Sequence, residues 1–255
     1  MKHLKLFLEF NQEYNPIGIF DSGYGGLFIL QSIKKQLPKS DFVFLGDNLT
    51  APYGKLPKSE IKSLTHKGIN RLKELGCQTI IVACNTACTV LNDSDSVINI
   101  IKPTIDFVSQ MNYNYLGILG TTTTIQSNIY QESLPNSIGL DCPSWATLIE
   151  TGEYNSEKGL QIIQSDLRKL FRLNNQIDTI LLACTHYIIL KDIIAEFYPD
   201  VKLISQDEII ADLVANSDCS KNGSCQYFTT GDSEEFDNEA AELLSIVTNS
   251  KTVTI

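Results

Sequence analysis

The amino-acid sequence predicts an α/β protein of two pseudo-symmetric lobes, each with a mainly parallel, doubly wound sheet, and with a functional site between the lobes. Short apolar runs alternate with segments of helical periodicity, which is the pattern of strand–helix–strand units around parallel sheets. In addition, residues 79–86 (TIIVACNT) resemble residues 179–186 (TILLACTH) at an offset of 100 residues. A period of this length is too long for a solenoid and indicates two similar α/β units.

In the first half of the chain, the apolar run 17–20 predicts a strand, and leucine and isoleucine recur at helical spacing over residues 27–37. The run 42–45 predicts a second strand. Residues 58–75 predict a helix, because one apolar stripe runs along them and a glycine follows as a stop. The apolar run 79–83 predicts a strand that is buried on both faces.

The same alternation continues in the second half of the chain. A strand is predicted at 115–119, a helix at 156–171 and a strand at 178–183. A further strand at 201–204 and a closing helix at 234–246 complete the pattern.

The internal repeat also has a weaker echo upstream, because GIF at 18–20 matches GIL at 117–119 at an offset of 99 residues. Residues 1–16 are expected to form a polar extension ahead of the first strand. The repeat then predicts two lobes: residues 1–103 together with 212–255, and residues 104–211.

Composition excludes several classes of partner. The chain of 255 residues has a formal net charge of −10, which argues against nucleic acid and anionic membranes and requires local donors for any anionic substrate. No apolar run approaches the ~20 residues that a membrane-spanning helix needs, and no secretory signal is expected. The 7 cysteines, an odd number outside any regular framework, indicate reduced thiols and a cytoplasmic protein.

Each copy of the repeat ends its strand in a cysteine, Cys84 or Cys184. Ligands of open parallel sheets bind beyond the carboxyl ends of the strands, and a helix N-terminus there is expected to lower a thiol pKa from ~8.5. If the two lobes face each other, the thiols approach one cleft from opposite sides. One thiol could then remove a proton from a substrate carbon while the other protonates the opposite face, as racemisation requires.

Two other interpretations of these cysteines stay open at this point. A cysteine that ends an apolar strand is usually a small buried hydrophobic residue, although a repeated pair followed by hydrogen-bonding residues favours function. Cys84, Cys88, Cys184 and His186 could instead form a Cys₃His zinc site. The spacing of the last two is tight for ligands of one tetrahedral ion, and paired zinc knuckles are missing.

A glycine-rich segment, GIFDSGYGG at 18–26, follows the first predicted strand. Its spacing matches neither a P-loop nor a dinucleotide-binding motif. Its glycines would allow a tight turn and a close approach to a ligand, with Asp21 and Ser22 at the strand end. An ordinary strand-to-helix turn is the alternative.

Seven ordered motifs resemble those of the glutamate racemases of the aspartate/glutamate racemase superfamily, over nearly the whole chain after residue 16. They are IFDSGYGGL at 19–27, GD at 46–47 with PYG at 52–54, ACNTA at 83–87, GTTTTI at 120–125, CP at 142–143 with Glu150, CTHY at 184–187, and TGD at 230–232.

The resemblance implies that Cys84 and Cys184 are catalytic, that Asp21 and His186 support them as acid/base groups, and that Glu150 is a further active-site carboxylate. It implies that glutamate is held without arginine, by hydroxyls, amides and backbone N–H groups. The residues that it implies for the substrate site are Asp21, Ser22, Pro52, Tyr53, Gly54, Asn85, Thr86, Thr121, Thr124, Thr185 and His186. It further implies no metal or other cofactor, a homodimer, and the supply of D-glutamate for peptidoglycan.

Several segments depart from the usual pattern of this family without removing a catalytic residue, and they bear on pocket shape and subunit packing. An aspartate racemase, or a non-enzymatic metal-stabilised or regulatory relative, therefore remains an alternative. The departures are Ala183, Ile188, NLTA at 48–51, SWAT at 144–147, and a short stretch between residues 88 and 103.

Overall fold

The computed structural model describes residues 15–92, 95–217 and 219–255. The polar extension predicted for residues 1–16 therefore falls almost entirely outside the described residues. The described chain is an α/β structure with two sheets, in which every strand pairing is parallel. The predicted fold class is confirmed.

The first part of the chain alternates strands with helices, and all five elements predicted there are present apart from small differences in their ends. The elements are β1 (Ile17–Asp21), α1 (Gly26–Gln36), β2 (Phe42–Gly46), α2 (Lys58–Glu74), β3 (Ile80–Val82), α3 (Asn85–Cys88), β4 (Ile98–Asn99) and α4 (Ile101–Val108).

The second part repeats the alternation and then returns to the first sheet. Its elements are β5 (Tyr115–Gly120), α5 (Thr122–Gln126), β6 (Ser137–Asp141), α6 (Trp145–Glu150), α7 (Glu157–Leu173), β7 (Ile177–Ala183), α8 (Lys191–Phe197), β8 (Lys202–Ile204), α9 (Gln206–Val214), β9 (Cys225–Thr229), α10 (Ser233–Leu244) and β10 (Lys251–Thr252).

Four strands of the first sheet have the same order as the four strands of the second sheet. The first runs β10-β9-β2-β1-β3-β4 and the second runs β6-β5-β7-β8, so the last four strands of each sheet follow the same sequence of connections. In both sheets the chain moves outward in opposite directions from one central strand, β1 or β5. The gaps β1/β3 and β5/β7 are therefore topological switch points, where ligands bind in open α/β sheets.

Local sequence explains why the elements around the site form where they do. β1, β2 and β3 are mainly apolar, with Asp21 at the end of β1, and they are buried along their whole length, as strands covered by helices on both faces require. α2 ends where Gly76 takes a positive φ of 92°, which glycine adopts at no steric cost. α7 begins at Ser156, whose hydroxyl accepts a hydrogen bond from the Gly159 N–H at 3.0 Å.

Helix α9 links the two parts of the chain. It follows β8 of the second sheet but packs against α1 and α4, and Ile210 and Val214 belong to the core around the first sheet. The lobe boundaries predicted near residues 103 and 211 stay a prediction.

Within the described ranges, none of the helices has the length and apolar character needed to cross a membrane. All seven cysteines are free thiols.

Candidate active site

The ends of β1, β3 and β7 open into one cavity between the two sheets. Both Cys84 and Cys184 reach this cavity. The lining residues are Ser22, Gly23, Ala51, Pro52, Tyr53, Gly54, Cys84, Asn85, Thr86, Thr121, Ala146, Glu150, Cys184, Thr185 and His186.

Most residues predicted for the site line this cavity, and two do not. Asp21 and Thr124 are fully buried and stand behind the lining residues. Gly23, Ala51 and Ala146 line the cavity without having been predicted, although each lies beside a predicted motif or within a noted departure. Among the described lining residues there is no lysine or arginine, so an anionic ligand would meet hydroxyls and backbone donors.

Cys84 caps the short helix α3. Its Sγ accepts a hydrogen bond from the Ala87 N–H at 3.4 Å and lies 3.1 Å from the Ser22 hydroxyl. Burial raises the pKa of the Cys84 thiol to about 12, with the Asp21 carboxyl acting in the same direction and the two hydrogen bonds opposing it. The expectation of a lowered pKa is therefore wrong for Cys84, because desolvation outweighs the field of a helix that is only four residues long.

The surroundings of Cys184 differ from those of Cys84. The strand end is followed by a 3-10 segment, Thr185–Leu190, rather than by an α-helix. The Nδ1 atom of His186 lies 3.9 Å from Cys184 Sγ, and its Nε2 lies 2.9 Å from Glu150 Oε1. Burial alone would lower the pKa of His186, but Cys184 and Glu150 hold that pKa well above its usual value. His186 can therefore carry a positive charge beside the second thiol at a higher pH than an exposed histidine would.

Asp21 joins the first sheet to the segment that follows Cys184. Its Oδ1 accepts from the Gly23 N–H at 2.8 Å, and its Oδ2 accepts from the Thr185 hydroxyl at 3.3 Å. Burial raises the pKa of this carboxyl, and the charge of His186 and the two hydrogen bonds oppose that rise. Asp21 can therefore hold a proton under conditions in which an exposed aspartate would be ionised.

Gly25 explains why the glycine-rich segment is needed. A Cβ atom at this position would overlap Thr185 Oγ1 and would lie 2.7 Å from His186 Nδ1. The close approach expected of this segment is thus made to the Cys184 side of the site.

A row of threonine hydroxyls crosses between the two sheets on the other side of the cavity. Thr86 and Thr121 lie 2.9 Å apart, and Thr121 lies 3.0 Å from Thr124. The Thr123 hydroxyl donates to the Gly54 carbonyl at 3.2 Å. Thr124 therefore supports Thr121 from behind.

The metal site considered from the sequence has no counterpart in the geometry. No group of three or more histidine, cysteine, aspartate or glutamate side chains in the described part of the chain could hold a metal ion. Cys88 instead donates a hydrogen bond from its thiol to the Val82 carbonyl at 3.1 Å, on the core side of α3.

Comparison with known proteins decides the family. A family model described as Asp/Glu/hydantoin racemase matches residues 57–214. The chain belongs to this racemase family. A glutamate racemase from Shouchella clausii is 33% identical over 257 residues, which cover 92% of this chain and 92% of that relative.

Solved structures agree with this assignment. A glutamate racemase isoform from Bacillus anthracis superposes with a TM-score of 0.86 at 29% identity, covering 95% of this chain and 98% of that one. The Francisella tularensis glutamate racemase, solved with D-glutamate, superposes with a TM-score of 0.85 at 26% identity and the same coverage. The motif resemblance to glutamate racemases is confirmed.

In this racemase, the GD and TGD motifs form a hydrogen-bonded anchor for the PYG loop. The Tyr53 hydroxyl points away from the cavity and donates to Asp47 Oδ2 at 2.6 Å, while the Thr230 hydroxyl donates to Asp47 Oδ1 at 2.5 Å. Burial and the Asp47 charge both raise the pKa of Tyr53. Tyr53 therefore lines the cavity with its ring and anchors the loop with its hydroxyl.

The departure at residues 144–147 places one small residue at the cavity and one large residue in the core behind it. Trp145 packs its ring against Tyr187 at 5.1 Å and donates from Nε1 to Asp166 Oδ2 at 3.0 Å. Ala146 lines the cavity. The tryptophan thereby ties α6, which carries Glu150, to the segment that carries His186.

A group of buried residues behind Cys84 was not predicted from the sequence. Asn85 was expected to bind substrate, but its side-chain amide is hydrogen bonded to Gln206 and Tyr130. Neither partner stands in a recognisable motif, and they lie 121 and 45 residues away along the chain. No pattern in a single sequence would have brought them together.

Proposed function

We propose that this racemase interconverts L- and D-glutamate without a cofactor, using Cys84 and Cys184 as paired acid/base groups. The observation that carries the proposal is the position of the two thiols at equivalent strand ends, β3 and β7, around a single cavity. The names of the relatives, which are glutamate racemases, support the choice of substrate.

Substrate binding is proposed to rely on neutral donors. Ser22, Thr86, Thr121 and Thr185, which carry hydroxyls, line one cavity together with the PYG loop. Neutral donors preorganised in a desolvated site can hold carboxylates strongly. This arrangement suits a protein whose net charge of −10 gives no general attraction for anions.

Proton transfer is proposed to use the different surroundings of the two thiols. In one direction Cys184, as a thiolate beside the His186 imidazolium, removes the α-proton, and the Cys84 thiol donates its proton to the opposite face of the carbanion. The products are the other enantiomer, a Cys184 thiol and a Cys84 thiolate. In the reverse direction the two cysteines exchange roles.

Asp21, His186 and Glu150 are proposed to support these steps. The raised pKa of Asp21 allows it to carry a proton next to the Cys84 side, and Glu150 keeps His186 protonated on the Cys184 side. Together these groups would return the two thiols to their starting protonation states between turnovers.

We also propose, on the family resemblance, that the product supplies peptidoglycan synthesis, that the protein acts in the cytoplasm, and that it forms a homodimer. The division into residues 1–103 with 212–255 and residues 104–211 is proposed as the pair of lobes that meet at the site.

A stereo-resolved assay of the purified protein tests the proposed activity. With L-glutamate and no added cofactor, D-glutamate should accumulate toward an equal mixture, and L-aspartate should react far more slowly. Absence of D-glutamate would overturn the proposal, and faster formation of D-aspartate would reassign the substrate.

A further inference from the structure

A reciprocal amide pair lies directly behind Cys84. Asn85 Nδ2 donates to Gln206 Oε1 at 2.6 Å, and Gln206 Nε2 donates back to Asn85 Oδ1 at 3.2 Å. Both residues are almost completely buried, with 2% and 1% of their surface exposed. Asn85 begins α3, and Gln206 begins α9, so the pair joins two helices that are distant in sequence.

Two further hydroxyls fix the orientation of both amides. The Tyr130 hydroxyl donates to Asn85 Oδ1 at 2.7 Å and accepts from Gln206 Nε2 at 2.9 Å. The Thr104 hydroxyl accepts from Gln206 Nε2 at 3.0 Å and donates its own proton to the Ile100 carbonyl at 2.7 Å. If one of the two amides alone were flipped, its NH₂ group would lie against the NH₂ group of the other. With the Thr104 proton directed to the Ile100 carbonyl, the hydrogen bonds favour this orientation of both amides.

This arrangement matters for Cys84 because α3 cannot hold its own shape. The helix has four residues, which is too short to be stable without tertiary contacts. Cys84 is its cap, and the Ala87 N–H reaches the sulfur at 3.4 Å only while the turn keeps its geometry. Asn85, the residue next to Cys84, supplies the side chain by which the turn is anchored.

The second thiol is anchored in another way. Thr185 occupies the place of Asn85 in the repeat, and its hydroxyl donates to Asp21. Among the described residues, the hydrogen bonds of the Gln206 network therefore reach the turn that follows Cys84 and not the one that follows Cys184.

We propose that Gln206 is a positioning residue for the Cys84 thiol, acting through the amide pair with Asn85. Gln206 touches neither the cavity nor the reacting atoms. The catalytic role of Gln206 rests on the function proposed above, but its effect on the Cys84 thiol can be measured without turnover.

The test is the rate at which iodoacetamide alkylates each of the two cysteines, followed by peptide mass spectrometry at about pH 8. The two cysteine residues have similar small exposed fractions, 7% for Cys84 and 6% for Cys184, so Cys184 serves as an internal reference. Gln206→Met removes the amide at similar length. It should lower the Cys84/Cys184 rate ratio by about fivefold, because a misplaced turn no longer stabilises the thiolate.

Thr104→Val is the matched control. It removes one acceptor from the same Gln206 amide and leaves every contact of Asn85 in place. The ratio should stay within error of that of the wild type. The titratable groups that act on Cys84 are Asp21, Tyr53, Cys88 and Cys184, and neither substitution alters them.

Tyr130→Phe keeps the proposal testable if Gln206→Met does not fold. It removes one donor to Asn85 and should lower the ratio by about twofold. In the racemase assay, both variants should lower kcat more than they change KM for glutamate.

An unchanged or increased ratio in the folded Gln206→Met or Tyr130→Phe protein would overturn the proposal, as would an equal decrease in Thr104→Val. Failure of wild-type protein to racemise glutamate would overturn the proposed function but would leave the alkylation result intact.

Discussion

Nε2 of His186 lies 2.9 Å from Oε1 of Glu150, while the opposite ring nitrogen faces the Cys184 sulfur at 3.9 Å. No histidine stands in the equivalent place beside Cys84, where the repeat has Thr86. The two thiols therefore share a fold position but differ in electrostatics. Cys184 lies beside a histidine whose pKa is raised, whereas burial raises the pKa of the Cys84 thiol itself.

Glu150→Gln should shift the pH dependence of racemisation. Glu150 helps to hold the pKa of His186 above its usual value, so the imidazolium persists to higher pH. With a neutral amide, the imidazolium is lost at lower pH, and the high-pH limb of the kcat/KM profile moves to lower pH. We expect kcat near pH 8 to fall about tenfold. Glu153→Gln, at an exposed position, is the control; an unmoved limb in Glu150→Gln would refute the assigned role.

Asp21→Asn should raise the stability of the protein while it lowers the activity. Because burial raises the pKa of Asp21, its contribution to stability is fully present below the unfolded value of about 3.9 and is lost as pH rises through the folded value. The contribution of an asparagine at this position to stability does not depend on pH in this way. The Tm advantage of Asp21→Asn over wild type should therefore grow as pH rises above about 4, while activity falls at least ~100-fold.

Calorimetry across this pH range measures the Tm effect, with the exposed Asp106→Asn as control. A Tm difference that does not change with pH would show that Asp21 is not a carboxyl with a raised pKa.

Gly25→Ala should disturb the Cys184 side of the site. The new methyl group would overlap the Thr185 hydroxyl and crowd His186. Overpacking of this kind costs about 1–3 kcal/mol of unfolding free energy, and activity should fall with it. Gly23→Ala is the comparison in the same loop, since its nearest neighbour would be Glu150 Oε1 at an ordinary 3.4 Å. Equal destabilisation of both variants in urea denaturation would contradict the steric argument.

Tyr53→Phe should weaken the anchor of the PYG loop. Asp47 would lose its 2.6 Å hydrogen bond and keep a buried carboxylate with fewer donors. The expected loss is about 1–3 kcal/mol of unfolding free energy, with a raised KM for glutamate because the loop lines the cavity. Tyr113→Phe, which removes a more exposed hydrogen bond to the Pro135 carbonyl, should cost less. An equal loss of unfolding free energy in Tyr113→Phe would contradict the importance assigned to the hydrogen bond between Tyr53 and Asp47.

The central strands and longest helices could be predicted from sequence because burial imposes a pattern on them. β1, β3 and β7 each contain a run of buried apolar residues, and α2 and α7 carry stripes at helical spacing with clear end signals. β6 could not be predicted, since Ser137–Asp141 is half-buried and contains Ser, Gly and Asp. A helix start after Cys84 was expected, but the extent of α3 could not be predicted, because its conformation depends on tertiary contacts more than on its four residues.

The candidate site could be predicted where function lies in a motif. The repeated strand ends identified Cys84 and Cys184, and the family resemblance added Asp21, His186 and Glu150. Burial decided what the sequence could not: it raises the pKa of Cys84 where a local helix effect predicted the opposite. It also gives the Asn85 amide partners that no spacing rule would find.

The most direct test of the two-thiol mechanism is α-proton exchange in heavy water with Cys84→Ser and Cys184→Ser, using each pure enantiomer of glutamate. Each variant should lose racemisation by at least ~10²-fold. Each should still exchange the α-proton of one enantiomer only, and the two variants should exchange opposite enantiomers. Racemisation at the wild-type rate in either variant, or exchange of the same enantiomer by both, would contradict the account.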